Sequence, residues 1–233
     1  NNVVDNSSPI PPNLIFFPQY LQQAGYSTAF FGKWHIGEAD DKPQKGFNEW
    51  ESFRGQGVYY NPTLNINGTE TKYGDSTYIT DLLTQNTINW MKKQDKNKPF
   101  FVYLSHKGVH AEFYPAKKYK GIYKDELIPY PSTINLTVSD SSIVYGNTAQ
   151  SPTGAMVKKD TNYNIADIPK WVFKQRYSWH GVDYLYHGQI PFDDFYRRYC
   201  ETLLSIDESI GDIMQYLKES GQDKNTIIIY MGD

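Results

Sequence analysis

Cysteine is almost missing. The 233-residue chain has one, Cys200, which excludes an internal disulfide framework. It stands in RRYCETLL, a helical pattern, and reads as a small buried packing residue. Long apolar runs are missing too: nothing approaches the roughly 18 consecutive residues of a membrane-spanning helix. Excess charge of one sign is also absent. With 23 Lys and Arg against 26 Asp and Glu, the formal charge is −3, and nucleic-acid binding driven by bulk charge is excluded. The one basic run, KKYKGIYK (117–124), reads as a solvated face, with attraction of an anionic substrate as the alternative. The chain does not open with Met and carries no leader pattern, and it stops at IIIYMGD, in a strand-like run. It reads as an internal fragment, so the missing leader says nothing about compartment.

What is present is a helix-then-strand pattern, met three times. FPQYLQQAGY (17–26) reads as a short helix with Pro18 in its first turn and Gly25 at its end, followed by the buried strand STAFFGK. DSTYITDLLTQNTINWMKKQ (75–94) has apolar residues near helical spacing, with Asp75 or Ser76 as cap, and FFVYLSH comes next as a strand covered on both faces. RRYCETLLSIDESIGDIMQYLKESG (197–221) carries a sustained apolar face ending at Gly221, and NTIIIYMGD is the strand after it. The order predicts an α/β fold with a mostly parallel central sheet flanked by helices.

In such sheets ligands bind beyond the carboxyl ends of the strands. The residues there are GKWHIG, SHKGVH and MGD, so the chemically capable side chains fall where the architecture places a site. If the first strand stays extended through residue 35, Lys33 and His35 share a face and Trp34 packs into the body on the other. That places a cation and an imidazole together, as an anion site requires.

GYSTAFFGKWHIG (25–37) resembles the second signature of the sulfatase family at every fixed position. KPFFVYLSHKGVHAEF (98–113) is similar to the sulfatase strand that ends in a sulfate-contacting histidine, and NTIIIYMGD to the strand before a metal-binding Asp. GFNEWESFRGQGVYYNPTLNING (46–68) and the stretch from SWHGVDYLYH to SIDESIG also resemble sulfatases that act on polysaccharides. The resemblance implies an alkaline-phosphatase-like sandwich and hydrolysis of sulfate esters on sulfated carbohydrates. It implies a formylglycine nucleophile made from Cys or Ser in a C/S-x-P-x-R motif, a calcium ion, and a periplasmic or secreted location. It assigns Lys33 to the sulfate and the leaving oxygen, His35 to the formylglycine hydrate, His110 to the ester oxygen as general acid, and Asp233 to the calcium. His106, four residues before His110, is the other histidine of that loop, and the resemblance favours His110.

The departures fit truncation. Cys200 lacks the x-Pro-x-Arg that the nucleophile needs, and no Ser-x-Pro-x-Arg occurs. The Asp-Asp pair of the calcium site and a later sulfate-binding lysine are also missing. The expectation is a partial catalytic domain over 1–233, inactive in isolation, with 114–193 a loop-rich insertion over the active-site face. Within it, Trp171, Trp179, Tyr184 and Tyr186 are suited to stacking on sugar rings, or else to a satellite apolar cluster. His180 and His187 match no metal motif and read as structural, with substrate contact as the alternative. FRGQGVYYNP (53–62) reads as a further wall. Two rivals stand beside this reading: a phosphatase or phosphodiesterase of the same superfamily with a Thr or Ser nucleophile, and a non-catalytic glycan-binding relative.

Overall fold

The computed structural model describes residues 3, 5–6, 8–37, 40–129 and 192–232. The chain divides into two compact units, Asn1–Tyr119 with Thr202–Asp233, and Lys120–Glu201.

The first unit is built on a five-stranded sheet. Helix α1 (Phe17–Gln23) has Pro18 in its first turn, where a missing N–H costs nothing, and Gln19 Oε1 accepts from the Phe16 N–H at 3.0 Å. The chain leaves α1 through Gly25, at φ +89°, and enters β1 (Ser27–Lys33). Next come β2 (Glu49–Phe53), β3 (Thr63–Ile66), β4 (Thr69–Lys72), helix α2 (Ile79–Lys92) and β5 (Phe100–Ser105). The strand order is β4-β3-β2-β1-β5. β1 pairs in parallel with both β2 and β5, while β2 with β3 and β3 with β4 are antiparallel. The sheet is therefore mixed rather than mostly parallel, because the region after β2 turns back on itself twice.

β1 lies inside the sheet and is covered on both faces. Ala29 and Phe31 belong to the main core, with Ile79, Leu83, Trp90 and Met91 of α2. Those four recur at helical spacing, so one stripe of α2 meets the sheet. The helix begins four residues later than its sequence pattern suggests. Asp75 and Ser76 have left-handed backbone and do not cap it; Tyr78 stands at the N-cap without a side-chain capping bond. On the other face Phe30 stacks on Trp50 at 4.6 Å and meets Phe47 and Tyr103 edge-on. Helix α3 (Phe192–Glu219) contributes Ile206 and Leu217 to the buried interior of this unit, along with Thr202, Ser205 and Ser209.

Residues 226–232 are the exception. The run reads as a strand, yet it has no regular structure and Ile227 is 88% exposed. A strand exists only through a neighbour's backbone, and among the described residues none lies beside it. In the second unit, Gly121 N–H donates to Glu201 Oε1 at 2.8 Å and Arg197 Nη2 to the Glu126 carbonyl at 3.0 Å. Cys200 lies there on α3, half-buried rather than buried. The helix starts at Phe192, so the last two residues of 114–193 are helical; residues 130–191 lie outside those described.

One buried charge tests the sheet. Glu51 in β2 is 7% exposed, and Asn86 Nδ2 of α2 donates to its carboxylate at 2.7 Å. Burial pushes its pKa from 4.5 up to about 7, against the opposing Asn86 bond. A raised carboxylate pKa gives stability that is full below pH 4.5 and lost as pH climbs through about 7. The loss amounts to at most about 3 kcal/mol. Glu51→Gln keeps an acceptor for Asn86, so urea titrations are expected to show a flatter pH dependence across that window and a more stable protein above it.

Candidate functional site

Two parallel strands end side by side in the first unit. Gly32 of β1 is in register with Ser105 of β5, so the segments beyond the two strands emerge at the same edge of the sheet. Gly32 has φ +114°, and a Cβ there would lie 1.8 Å from the Ser105 carbonyl oxygen. Only glycine permits this approach. Ser52 of β2 fixes the same point from the other side, donating its hydroxyl to the Gly32 carbonyl at 2.8 Å.

Lys33 is the last residue of β1. The strand does not continue to His35, whose φ is +50°. The alternation of faces expected from an extended 33–35 segment therefore gives way to left-handed backbone at His35. Trp34 packs into the body as expected, edge-on to Phe16 at 5.6 Å and to Phe30 and Trp50 at 5.4 Å. This anchor holds the backbone between Lys33 and His35. His35 Nδ1 lies 3.5 Å from both Asn6 Nδ2 and Gln56 Nε2, at the edge of hydrogen-bond range.

Beyond β5 the chain turns, with His110 N–H donating to the Lys107 carbonyl at 3.1 Å. The His110 carbonyl accepts the Tyr59 hydroxyl at 2.7 Å. Burial raises the Tyr59 pKa far above the phenol range, so that hydroxyl keeps its proton. His106 behaves differently. It points into the interior, with Nε2 3.0 Å from Ser209 Oγ of α3, and Ser209 Oγ contacts Thr84 Oγ1 of α2 at 2.6 Å. Burial lowers its pKa to about 4, which keeps the ring neutral at physiological pH.

Lys107 lies between these two histidines, and no motif in the sequence marks it. It is 6% exposed. Its Nζ donates to the Gln56 carbonyl at 3.0 Å and sits 4.6 Å from the centre of the Tyr59 ring. Burial, and secondarily repulsion from Lys33, lower its pKa to about 8. Gln56 and Tyr59 belong to the loop after β2 that reads from sequence as a wall. Their individual roles are not visible there, nor is that of Lys107, because a lysine in a polar loop ordinarily reads as solvated.

The structure thus brings Lys33, His35 and His110 to one edge of the sheet, and turns His106 away from the others. Asp233 lies outside the described residues, as do His180, His187, Trp171, Trp179, Tyr184 and Tyr186. Among the described residues no three His, Cys, Asp or Glu side chains converge as a metal site. None of the described helices is long and apolar enough to cross a membrane.

A family model described as Sulfatase matches residues 1–233. An N-acetylglucosamine-6-O-sulfatase of Bacteroides thetaiotaomicron is 30% identical over 263 residues, covering 100% of this chain and 46% of that protein. An N-acetylglucosamine-6-sulfatase of Bos taurus is 25% identical, covering 93% of this chain and 35% of that one. A solved structure of a protein with its substrate, D-glucosamine-2-N,6-O-disulfate, superimposes with a TM-score of 0.66 at 26% identity, over 95% of this chain and 50% of that one. The chain spans half or less of the length of each of these.

Proposed function

The chain belongs to the sulfatase family, and we propose that the protein carrying it hydrolyses sulfate monoesters of carbohydrates, with 6-O-sulfated glucosamine derivatives as the substrate class. The observation that carries this reading is the arrangement at the sheet edge. Lys33 and His35 flank an anchored Trp34, and the segment bearing His110 emerges from the neighbouring parallel strand. The relatives' names and the substrate bound in the solved structure support amino sugars sulfated at the 6-position.

A sulfate monoester carries a negative charge whose oxygens need fixed donors as the S–O bond breaks. Lys33 supplies a compact cation with three N–H donors that needs no reorientation during reaction. His110 gives a proton to the departing sugar oxygen, which as an alkoxide is a poor leaving group. His35, held beyond the strand end, would hydrogen-bond the formylglycine hydrate. In this reading the formylglycine and the calcium belong to the whole protein; Asp233 would be one calcium ligand, and the ion would supply charge neutralisation to the sulfate oxygens. Export to the periplasm or beyond the cell, where such glycans are met, is part of the same reading.

The test is release of inorganic sulfate from 6-O-sulfated N-acetylglucosamine by the full-length protein, beside the matching phosphate ester. Sulfate release supports the reading; phosphate release alone transfers the site to a phosphatase. His110→Ala is expected to lower kcat on sugar sulfates by roughly a hundredfold or more, and to leave aryl sulfates with good leaving groups close to wild type. An equal loss on both removes the general-acid role.

A further inference from the structure

The geometry points to Lys107 as a positioning residue for the proposed reaction, its buried ammonium pinning the loop after β2 so that His35 and His110 are held in register. The inference rests on the sulfatase reading for what the two histidines do, and on the contacts alone for how they are held.

A lysine that is 6% exposed needs a reason to be there, since removing an ammonium from water is unfavourable unless it is paired. Among the described residues no carboxylate pairs with Lys107. Its ammonium takes the Gln56 carbonyl at 3.0 Å and the face of Tyr59 at 4.6 Å. Both partners reach onward. Tyr59 donates its hydroxyl to the His110 carbonyl at 2.7 Å, and Gln56 places its side-chain nitrogen 3.5 Å from His35 Nδ1. One cation therefore ties two loops to the two histidines by a single link each. Gly57 makes the tie compact: at φ +63° it passes so close to Phe53 that a Cβ would lie 2.5 Å from that ring. The loop between Gln56 and Tyr59 has one tight path, and Lys107 fastens both of its ends.

Two titratable groups face Lys107 from other elements and two stand on its own segment. They are Lys33 at the end of β1, Tyr59 in the loop after β2, and His106 and His110 on its own segment. Tyr59 stays protonated and His106 stays neutral through the neutral range. Lys33 opposes the Lys107 charge. Loss of the Lys107 proton above about pH 8 would release Gln56 and Tyr59 together.

The experiment compares wild type, Lys107→Met and Lys107→Arg in the full-length protein, by histidine-ring 15N NMR and by kinetics on 6-O-sulfated N-acetylglucosamine. Lys107→Met is expected to shift the His35 and His110 ring signals, leave His106 in place, and lower kcat about a hundredfold with little change in KM. Its Tm is expected to stay within about 3 °C of wild type, because an apolar chain replaces a costly buried charge. Lys107→Arg keeps a cation and should recover part of the activity at alkaline pH. Unmoved histidine signals overturn the inference, as does an activity loss that merely tracks a falling Tm in both variants. Should Lys107→Met fail to fold, Tyr59→Phe carries the test. It keeps the ring and removes only the hydroxyl on His110; a shifted His110 signal supports the inference, and an unmoved one overturns it. If wild type releases no sulfate while the signals shift, the sulfatase reading fails and the positioning role stands.

Discussion

Lys33→Ala is expected to lower kcat/KM on a 6-O-sulfated glucosamine by roughly a thousandfold in the full-length protein. The size of the effect comes from where the residue stands. Lys33 closes a buried strand whose last peptide is held on both sides, by Ser52 and by the close approach to Ser105. Its stem therefore leaves the sheet from a rigid point, and a preoriented charge is worth far more than a mobile one. Inorganic sulfate should bind the variant more weakly as well, since the ammonium attracts the anion before any bond breaks. Lys33→Arg is not expected to rescue, because a planar fork cannot reproduce a compact charge emerging at this spot. Steady-state kinetics with sulfate as competitive inhibitor measure both effects, and a variant within about tenfold of wild type on each would remove Lys33 from the site.

Gly32→Ala carries the largest expected effect on folding. The backbone at this residue is left-handed, at φ +114°, which any L side chain resists by about 1–2 kcal/mol. The added methyl would also meet the Ser105 carbonyl oxygen at 1.8 Å. That neighbour is main chain in the paired strand, so relief requires β1 and β5 to separate where they meet. A loss of about 4 kcal/mol or more is expected, at the severe end for a single substitution. Urea denaturation of the full-length protein measures it. Because the clash sits one residue before Lys33, any folded remainder should also show weakened sulfate binding. A wild-type midpoint would contradict the strand contact itself.

The long helices and the two apolar strands around the site are legible from the chain because each has a continuous signal. In α2 and α3 it is helical spacing, and in β1 and β5 an unbroken apolar run. β2, β3 and β4 are not. EWESF buries a carboxylate and a hydroxyl, Glu51 and Ser52, and TLNI and TETK are four-residue strands with mostly polar or exposed side chains. The one local sign is Asn67–Gly68, both at positive φ, a two-residue turn that joins Ile66 to Thr69 as a hairpin. The run 226–232 misleads in the opposite sense: its composition is that of a strand, and composition cannot supply a partner. At the site, Lys33, His35 and His110 are visible as residues, but the left-handed backbone at His35 is not. Nor is Lys107. Its burial comes from a loop some fifty residues earlier in the chain, and nothing adjacent in sequence announces it.

The pairing of β1 with β5 sets the sequence of events by which the chain acquires its shape. The β3–β4 hairpin joins residues three apart at its tip, Ile66 with Thr69, whereas β1 meets β5 at Ser27 with Phe100 and Gly32 with Ser105. Closing the longer loop costs more chain entropy, and such contacts form slowly. The hairpin has only to turn on Asn67–Gly68. The β1–β5 seam must wait for α2 and everything before it to be gathered in. The edge that carries Lys33 on one side and the His110 segment on the other is therefore expected to assemble late, and φ-values near zero for residues of the β1–β5 seam would show it.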